Sequence, residues 1–375
     1  MDRLIVFALL WAASCVAEDV DITFTVVPKT LPTNSTVFIT GNHEKLGVWD
    51  AGAVALEKRE DGSWSQAFKF PAGTELEYKV TRGSWQTEAV SAEGVVPQNF
   101  KLHVFSNESV RIVVANWKDA MHKVEGQITG AVRYHPKMEG EGIKPRDVVV
   151  WLPPSYERPP DRRYPVLYVH DGQNAFDPAT SFLGVDWQID EVADRLIHEG
   201  KMREIIVAGI YKTTDRREEY SDTVKGRTYM RFIVEKLKPF IDREYRTRPE
   251  REHTAVMGSS MGGLISFLLL WNYPEVFLQA ACLSPAFVFQ NLDATGLVQQ
   301  YSGPSKHIRM YMDNGGMGLE AQLQPGCEKM LAAFREKGFK FGDDLEWFHD
   351  PDAEHSERAW SRRVWRPLLF MFRTK

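Results

Sequence analysis

Ser260 has the sequence setting of a catalytic nucleophile. It lies in the run Gly258–Gly263 (GSSMGG), between the apolar segments Thr254–Met257 and Leu264–Trp271. These segments predict a strand and a helix, so the serine stands in a sharp strand-to-helix turn of the G-x-S-x-G type. Such a turn presents the hydroxyl at the edge of a sheet, beside helix N–H groups that can stabilise an oxyanion. The pattern predicts nucleophilic catalysis if an acid and a histidine follow in order.

A nucleophilic serine needs a histidine to accept its proton and a carboxylate to hold that histidine. His355 follows the strand-like segment Leu345–Phe348 and is the predicted base, in preference to a merely solvated loop histidine. The acid is expected after the strand-like segment Ile308–Met312, where Asp313 and Glu320 are both candidates. Either carboxylate could also cap a turn or a helix, so the spacing alone leaves the two alternatives open.

Two backbone N–H groups are needed to hold an oxyanion. One is predicted at Met261, directly after the nucleophile, and the other on an early strand-to-loop turn. The loop His170–Asn174 fits this second place, because Gly172 permits a close approach, and Gln173 is the predicted donor. Asp171 precedes the serine in the chain, so we expect it to brace the loop rather than to serve as the acid.

The two parts of the chain differ in their pattern of elements. Short β-rich runs punctuated by Gly, Pro, Asn and Asp recur from about residue 20 to 117, which indicates an immunoglobulin-like β-sandwich. From about residue 118, apolar strands alternate with amphipathic helices, which indicates a mostly parallel sheet with helices on both faces. With the serine turn, the predicted fold class is an α/β-hydrolase preceded by a small all-β domain. The predicted domains are residues 18–118 and 119–375.

Residues 1–17 have the pattern of a cleaved signal peptide. Arg3 precedes the apolar run Leu4–Ala13, and Cys15 and Ala17 are the small residues that a signal peptidase reads. A secreted or periplasmic protein is therefore expected. The alternative is a lipoprotein acylated at Cys15, which we consider weaker because the leucine usual three places earlier is absent.

The remaining composition excludes several classes of function. The 375 residues carry a net charge of −5, which gives no reason to expect nucleic acid or an anionic membrane as partner. We predict no membrane span after the leader. Cys282 and Cys327 are expected as buried thiols, and no cofactor or metal is expected because Cys/His spacings typical of zinc are missing. Asn34 and Asn107 begin glycosylation sequons that a eukaryotic host would use.

Residues from about 125 to 373 resemble the esterase D-type esterases, which include feruloyl and acetylxylan esterases, enterochelin esterases and mycolyltransferases. This resemblance implies Ser260 as nucleophile, His355 as base and no metal. The family's acid usually follows a Gly-Thr-type turn, which Glu320 after Gly318 matches better than Asp313 does. The matching landmarks, in order, are Val149–Pro154, Leu167–Phe176, Trp187–Asp190, Arg217–Tyr220, Lys238–Ile241, Tyr245–Thr247, His253–Gly263 and His355–Trp360.

The N-terminal segment resembles starch-binding modules of carbohydrate-binding family 20. The matching landmarks are Phe38–Asn42, Leu46–Asp50, Gly62–Trp64 and Glu77–Arg82. The resemblance implies a polysaccharide partner such as starch or a glycogen-like glucan, held by indole rings that stack on sugar faces. Trp85 and Trp117 are the predicted platforms, whereas Trp49 and Trp64 are expected to fill the core. The alternative is a sandwich that has lost binding.

Together these observations predict a secreted serine esterase that acts on acyl groups on or near carbohydrate, including plant glycans. A siderophore or other small-ester hydrolase, or a sugar acyltransferase, is the alternative within enzymes. A carbohydrate-binding protein with an inactive hydrolase domain is the alternative from another class. The presence of both Ser260 and His355 favours the enzyme.

Overall fold

The structure, a computed structural model, describes residues 19–91, 96–120, 126–158, 161–181 and 184–374. The predicted signal peptide, including Cys15, lies outside the described residues. The chain divides into two compact units, Met1–Lys123 and Val124–Lys375. Each unit has a hydrophobic core of its own, and each is described separately below.

The first unit is a β-sandwich. One sheet has the strand order β4-β5-β1-β9, the other has the order β3-β2-β6-β8, and β10 pairs with β7. Inward side chains of the two larger sheets, among them Phe24, Ile39, Phe70 and Tyr78, share one core, as the alternating patterns predict. The strands are β1 (Asp19–Pro28), β2 (Phe38–Gly41), β3 (Val54–Ala55), β4 (Glu57–Lys58), β5 (Trp64–Pro71), β6 (Glu75–Thr81), β7 (Ala89–Val90), β8 (Phe100–His103), β9 (Glu108–Val114) and β10 (Asn116–Trp117).

The second unit alternates strands and helices. Its strands are β11 (Ala131–Gly140), β12 (Ile143–Leu152), β13 (Val166–His170), β14 (Ile206–Ile210), β15 (Thr254–Ser259), β16 (Gln279–Leu283), β17 (Val288–Phe289), β18 (Leu292–Asp293), β19 (Arg309–Gly315) and β20 (Leu345–Asp350). Its helices are α1 (Ile189–His198), α2 (Arg216–Glu219), α3 (Val224–Arg231), α4 (Lys238–Glu244), α5 (Met261–Asn272), α6 (Thr295–Gln299), α7 (Leu319–Glu336), α8 (Glu357–Arg363) and α9 (Trp365–Phe372). A π-helical stretch, Phe232–Leu237, joins α3 to α4.

One eight-stranded sheet organises the second unit. Its order is β11-β12-β14-β13-β15-β16-β19-β20, and the strands from β14 to β20 in this order run parallel. Successive side chains of β13 enter opposite cores: Tyr168 packs in one, and Leu167 and Val169 pack in the other. Both faces of the sheet are therefore covered, which explains why its central strands are continuously apolar. This is the α/β-hydrolase architecture predicted from the sequence.

Strand β11 is the main element that the sequence did not reveal. It comprises Ala131–Gly140 and forms a hairpin with β12. The strand stands at the sheet edge, and no residue in it is fully buried. An edge strand with this exposure needs no apolar alternation, so its mixed charges gave no strand signal.

The parallel strands bring their carboxyl ends to one edge of the sheet, called the carboxyl edge here. Ser260 follows β15, and Ser284 follows β16. Glu320 follows β19, and His355 follows β20. Because β12 runs antiparallel to β14, the segment after Leu152 lies at the opposite edge. The topology thus gathers the predicted chemistry on adjacent strands at one edge.

Two further sequence expectations concern membranes and cysteines. In the ranges that the structure describes, none of the helices combines the length and apolarity needed to cross a bilayer. Cys282 on β16 and Cys327 on α7 are both buried free thiols. Their burial agrees with the prediction from the sequence.

Candidate active site

Ser260 occupies a strained turn between β15 and α5. Its backbone has φ 57° and ψ −123°. Residues other than glycine rarely adopt this conformation, and it costs about 1–3 kcal/mol. The surrounding backbone holds this conformation: the Ser260 N–H donates to Leu283 O at 2.9 Å, and the Ala286 N–H donates to Ser260 O at 3.1 Å. The turn is therefore fixed from the neighbouring strand, and the residues placed here are those of a nucleophile elbow.

The two glycines of the motif have different roles. A Cβ on Gly258 would lie 2.5 Å from the backbone carbon and oxygen of Gly262, so only glycine fits there. A Cβ on Gly262 would meet Asp171 Oδ2 at 3.4 Å, which is an ordinary contact. Close packing therefore requires a glycine at position 258 but not at position 262. The same contact shows that the Asp171 loop lies against the start of α5.

His355 and Glu320 meet at the carboxyl edge. His355 Nδ1 lies 3.3 Å from Glu320 Oε1, although its N–H is not aligned for a straight hydrogen bond. Catalytic hydrogen bonds are often long before substrate binds. The His355 ring also packs edge-on against Trp360, with ring centroids 5.0 Å apart. Of the two candidate acids, Glu320 is the one that the structure places beside the histidine.

Glu320 is fully buried and still favours the ionised form. Burial would raise its pKa, but hydrogen bonding and charge from His355, the Ser284 hydroxyl and the Gly315 N–H together lower it below the usual range. The Ser284 hydroxyl donates to Oε1 at 2.6 Å, and the Gly315 N–H donates to Oε2 at 3.0 Å. An ionised carboxylate in this place can hold the histidine tautomer and stabilise an imidazolium.

Asp313 lies in a different environment. It stands inside β19, which continues to Gly315, rather than on the loop where we expected the acid. Its Oδ1 lies 3.1 Å from Arg363 Nε, and its Oδ2 accepts a hydrogen bond from the Tyr311 hydroxyl at 3.1 Å. Burial raises the pKa of Asp313 to about 6, and the charge of Arg363 limits this rise. Asp313 is thus engaged by an arginine and not by the histidine.

The Ser284 hydroxyl connects Glu320 to the side chains of Trp360 and Arg363. It donates to Glu320, and it accepts hydrogen bonds from Trp360 Nε1 at 2.9 Å and from Arg363 Nη2 at 2.7 Å. Ser284 is fully buried, and its backbone has a positive φ of 43°. Sequence reasoning missed Ser284 and Arg363, because a serine after a strand and an arginine in a C-terminal helix carry no distinctive pattern.

The loops that carry the acid and the base are packed directly on each other. The N–H groups of Gly316 and Met317 donate to Ala353 O at 3.2 and 3.1 Å. A Cβ on Gly315 would lie 2.4 Å from Ala353 O, and one on Gly316 would lie 2.3 Å from Pro351 O. The glycines are therefore needed for close approach, and this approach fixes the distance between Glu320 and His355.

The predicted oxyanion donors lie at two helix starts. Met261 is the first residue of α5, and Gln173 lies in the 3₁₀ helix Gly172–Asn174, so their N–H groups are in first turns that lack intrahelical acceptors. A Cβ on Gly172 would lie 2.2 Å from the backbone of Gly209, which explains the glycine there. Both positions can offer N–H groups to a developing anion.

Two contacts brace the Gln173 loop. Arg216 binds both carboxylate oxygens of Asp171, with Nε at 2.8 Å from Oδ1 and Nη2 at 2.6 Å from Oδ2, which is the bracing role expected for this aspartate. Asn174 Nδ2 donates to Glu357 Oε1 at 3.3 Å. Because Glu357 follows His355 by two residues, this second contact ties the oxyanion loop to the loop of the base.

In the first unit, the prediction that Trp117 is a sugar platform is wrong. Trp117 is fully buried, its Nε1 donates to Thr30 O at 2.7 Å, and the Arg82 guanidinium lies over its ring. Neither face of its indole is open to a sugar, so Trp117 is a core residue. Trp85 is half-buried in the 3₁₀ turn Trp85–Thr87. Its role as a sugar platform stays a prediction.

Trp49, which we expected in the core, is not a core residue. It is half-buried and has a positive φ of 65°, in the turn before Gly52. A Cβ on Gly52 would lie 2.9 Å from Gly83 O, so the turn of Trp49 and the turn of Trp85 are neighbours. The signal available in the sequence was the Leu-Gly-x-Trp-Asp run after a short polar loop, which places the ring in a tight turn. Trp64 is buried as expected.

Two family models match the chain. The family described as "Putative esterase" matches residues 143–371, and the family "Starch binding domain" matches residues 19–113. The first match covers more than half of the chain and contains Ser260, Glu320 and His355. The second match contains Trp49 and Trp85 but ends before Trp117. These matches confirm both resemblances noted in the sequence.

Individual relatives agree with the two families. An endo-1,4-beta-xylanase/feruloyl esterase of Xylanibacter ruminicola is 25% identical over 60% of this chain and 29% of its own length. An alpha-amylase of Niallia circulans is 35% identical over 26% of this chain and 8% of its own length. The crystal structure of the enterobactin esterase of Shigella flexneri matches 93% of this chain and 92% of that chain, with a TM-score of 0.54 and 13% identity. This structural likeness supports the fold.

Exchanging the two candidate acids tests which carboxylate serves the histidine. We expect Glu320→Gln to lower kcat for an ester substrate by about 10²- to 10⁴-fold, because it removes the negative charge that faces His355. Asp313→Asn should leave kcat within about tenfold and should lower stability, because breaking a buried ion pair costs about 3–5 kcal/mol. Steady-state kinetics and thermal unfolding measure both effects. A larger kcat loss in Asp313→Asn would contradict the pairing seen here.

Ser284→Ala tests whether the hydroxyl positions the acid. We expect kcat to fall by about 5- to 100-fold with little change in KM, since an unmet buried polar group costs about 1–3 kcal/mol. The loss of a hydrogen bond to ionised Glu320 raises its pKa, so the acid limb of the pH–kcat profile should move to higher pH.

Ser155→Ala is the matched control for that experiment. Ser155 Oγ also donates to a buried glutamate, Glu204, at 2.6 Å, but it lies at the opposite edge of the sheet. This control should change stability without moving the pH profile. An unchanged profile in Ser284→Ala would show that the hydroxyl has only a packing role.

Proposed function

Because the chain belongs to the esterase family, it is a carboxylic ester hydrolase, and we propose that Ser260, His355 and Glu320 form its catalytic triad. The observation that carries this proposal is the pairing of His355 with a buried, ionised Glu320 at the same sheet edge as a strained serine elbow. We further propose that the enzyme is secreted and that its esters are borne on or near a polysaccharide.

In the first half of the reaction, Ser260 Oγ attacks the ester carbonyl and His355 Nε2 accepts its proton. Glu320 stabilises the resulting imidazolium across the 3.3 Å contact to Nδ1. The Met261 and Gln173 N–H groups hold the negative oxygen of the tetrahedral intermediate. His355 then gives its proton to the leaving alcohol, and the acyl group remains on Ser260.

In the second half, water takes the place of the alcohol. His355 accepts a proton from the water, which attacks the acyl-enzyme carbonyl, and the same two N–H groups hold the second tetrahedral intermediate. Collapse of this intermediate releases the carboxylic acid and returns the proton to Ser260. The contacts between the acid and base loops matter in both halves, because they fix the histidine while its charge changes.

The starch-binding match and the feruloyl esterase relative together favour an ester attached to a glycan. The substrate class we propose is an acetyl or feruloyl ester of a glucan or plant polysaccharide. A small siderophore ester is the competing substrate, but a starch-binding module would have no role in its hydrolysis. A substrate panel that contains acetylated glucan, feruloylated glycan and a catecholate ester distinguishes the two, and sole activity on the catecholate ester would reject a glycan-borne substrate.

Ser260→Ala tests the nucleophile. We expect kcat for p-nitrophenyl acetate to fall by about 10⁴-fold or more, because the covalent step is lost while the oxyanion donors remain. Ser259→Ala is the matched control, since Ser259 is the last residue of β15 and precedes the elbow. Full activity of Ser260→Ala would overturn the triad and leave the esterase family membership intact.

Trp49→Ala and Trp85→Ala test the sugar platform. Each should weaken retention on amylose by at least about tenfold, the loss that corresponds to 1.4 kcal/mol of stacking. Val48→Ala is the control, because Val48 is an exposed side chain of the same turn. Affinity electrophoresis in soluble starch measures the effect. Equal retention of all three variants and the wild type would contradict a platform at these tryptophans.

Secretion follows, in this proposal, from the leader pattern of residues 1–17. Exposed Asn34 and Asn107 would then be open to glycosylation in a eukaryotic host. N-terminal sequencing of protein recovered from the medium should begin at or near Glu18. Recovery of the full-length chain inside the cell would count against secretion.

A further inference from the structure

Three carboxylates of the second unit lie together outside the active site. Asp186, Asp190 and Glu191 each place a carboxylate oxygen within 4.8 Å of the others. Asp186 and Asp190 are buried, and Glu191 is half-buried. Burial of like charges at this spacing is costly unless something positive lies between them.

The polar atoms of this cluster are incompletely satisfied. Asp190 Oδ2 accepts the Thr129 N–H at 2.7 Å, and Asp186 Oδ2 accepts the Gln188 N–H at 3.0 Å. Asp190 Oδ1 and Glu191 Oε2 are inaccessible to water and have no hydrogen-bond donor among the residues that the structure describes. Asp190 itself is 0% exposed. A fully buried carboxylate oxygen of this kind needs a partner, which is either a proton shared with Glu191 or a bound cation.

The surrounding charges strengthen the need for a cation. The charges that act on Asp186 come from Glu191 and Asp177, which are both acidic. The N-terminus of α1 favours one anion nearby, but it does not supply a donor for two buried oxygens.

We propose that Asp186, Asp190 and Glu191 bind a divalent cation, with calcium as the best fit. Calcium takes six to eight oxygen ligands at about 2.3–2.6 Å in flexible geometry, so two oxygens on one ion lie up to about 5 Å apart. An all-carboxylate set is the donor chemistry of a hard cation and differs from the zinc pattern considered in the sequence. Water completes the coordination.

Such a cation would brace the oxyanion loop. The Trp187 N–H donates to Asn174 O at 2.8 Å, and the Ile189 N–H donates to Ala175 O at 3.2 Å. The three carboxylates therefore lie on the segment that is hydrogen-bonded to the loop of Gln173. Cation binding stabilises this segment, whether or not the triad assignment is correct.

The test uses the full chain, stripped of metal with EDTA. Terbium is the first probe, because its luminescence is sensitised by a nearby indole and Trp187 directly follows Asp186. We expect saturable terbium luminescence that calcium displaces. Calcium should also raise the Tm by about 3 °C or more relative to EDTA, as expected when a ligand well above its Kd binds only the folded state.

Glu191→Gln is the test variant, because Glu191 is half-buried and glutamine removes the charge while it keeps the size of the side chain. It should weaken terbium binding by at least about tenfold and remove the calcium-dependent shift in Tm. Glu199→Gln, at the other end of α1, is the control for the same loss of charge and should behave as the wild type. If Glu191→Gln does not fold, Asp186→Asn takes its place.

Two outcomes would overturn the proposal. One is a wild-type Tm that is the same in calcium and in EDTA, with terbium binding that does not saturate. The other is an equal response of Glu191→Gln and Glu199→Gln. Either would mean that a shared proton, rather than a cation, satisfies Asp190 and Glu191. Neither outcome bears on Ser260, so failure of this site is separable from failure of the triad.

Discussion

The arrangement of the active site depends on one buried arginine. Arg363 lies 3.1 Å from Asp313 and 3.8 Å from Glu320, and its Nη2 donates to the hydroxyl of Ser284 between them. Two carboxylates in a dry interior cannot both ionise without such a charge, because burial and mutual repulsion raise their pKa values. The charge of Arg363 limits the rise in the pKa of Asp313, while His355, the Ser284 hydroxyl and the Gly315 N–H keep Glu320 ionised. The arginine therefore engages Asp313 more closely and leaves Glu320 as the carboxylate that faces His355.

This constraint explains which parts of the site the sequence could predict. The elbow of Ser260 has a local signature, because the strand, the glycine and the helix are adjacent in the chain. His355 follows from its place after the last strand. The choice between Glu320 and Asp313 depends instead on Arg363, which is 43 residues beyond Glu320 and carries no local signal. The central parallel strands were predictable because they are buried on both faces, and β11 was not, because it is an exposed edge.

The same reasoning accounts for the tryptophans of the sandwich. A sequence shows that an indole lies near a turn or a strand end, but not which of its faces remains open. Trp117 ends a strand, and its indole N–H donates to Thr30 O, so the ring is buried in the core. Trp49 sits in a turn with a positive φ, where the backbone turns the side chain away from the alternation of the strands. Backbone conformation, and not residue type, therefore separates the proposed platform at Trp49 from the core residue Trp117.

A sugar-binding module changes what limits an esterase on a polymer. Binding energy from a separate module does not enter the transition state at Ser260, so it cannot raise kcat. It raises the local concentration of ester at the enzyme, which matters when the substrate is sparse on an insoluble chain. Activity on small soluble esters should therefore be independent of Trp49 and Trp85, while activity on granular or fibrous glycan depends on them. In the proposed function, the chemistry belongs to the carboxyl edge of the sheet, and the module contributes access to substrate.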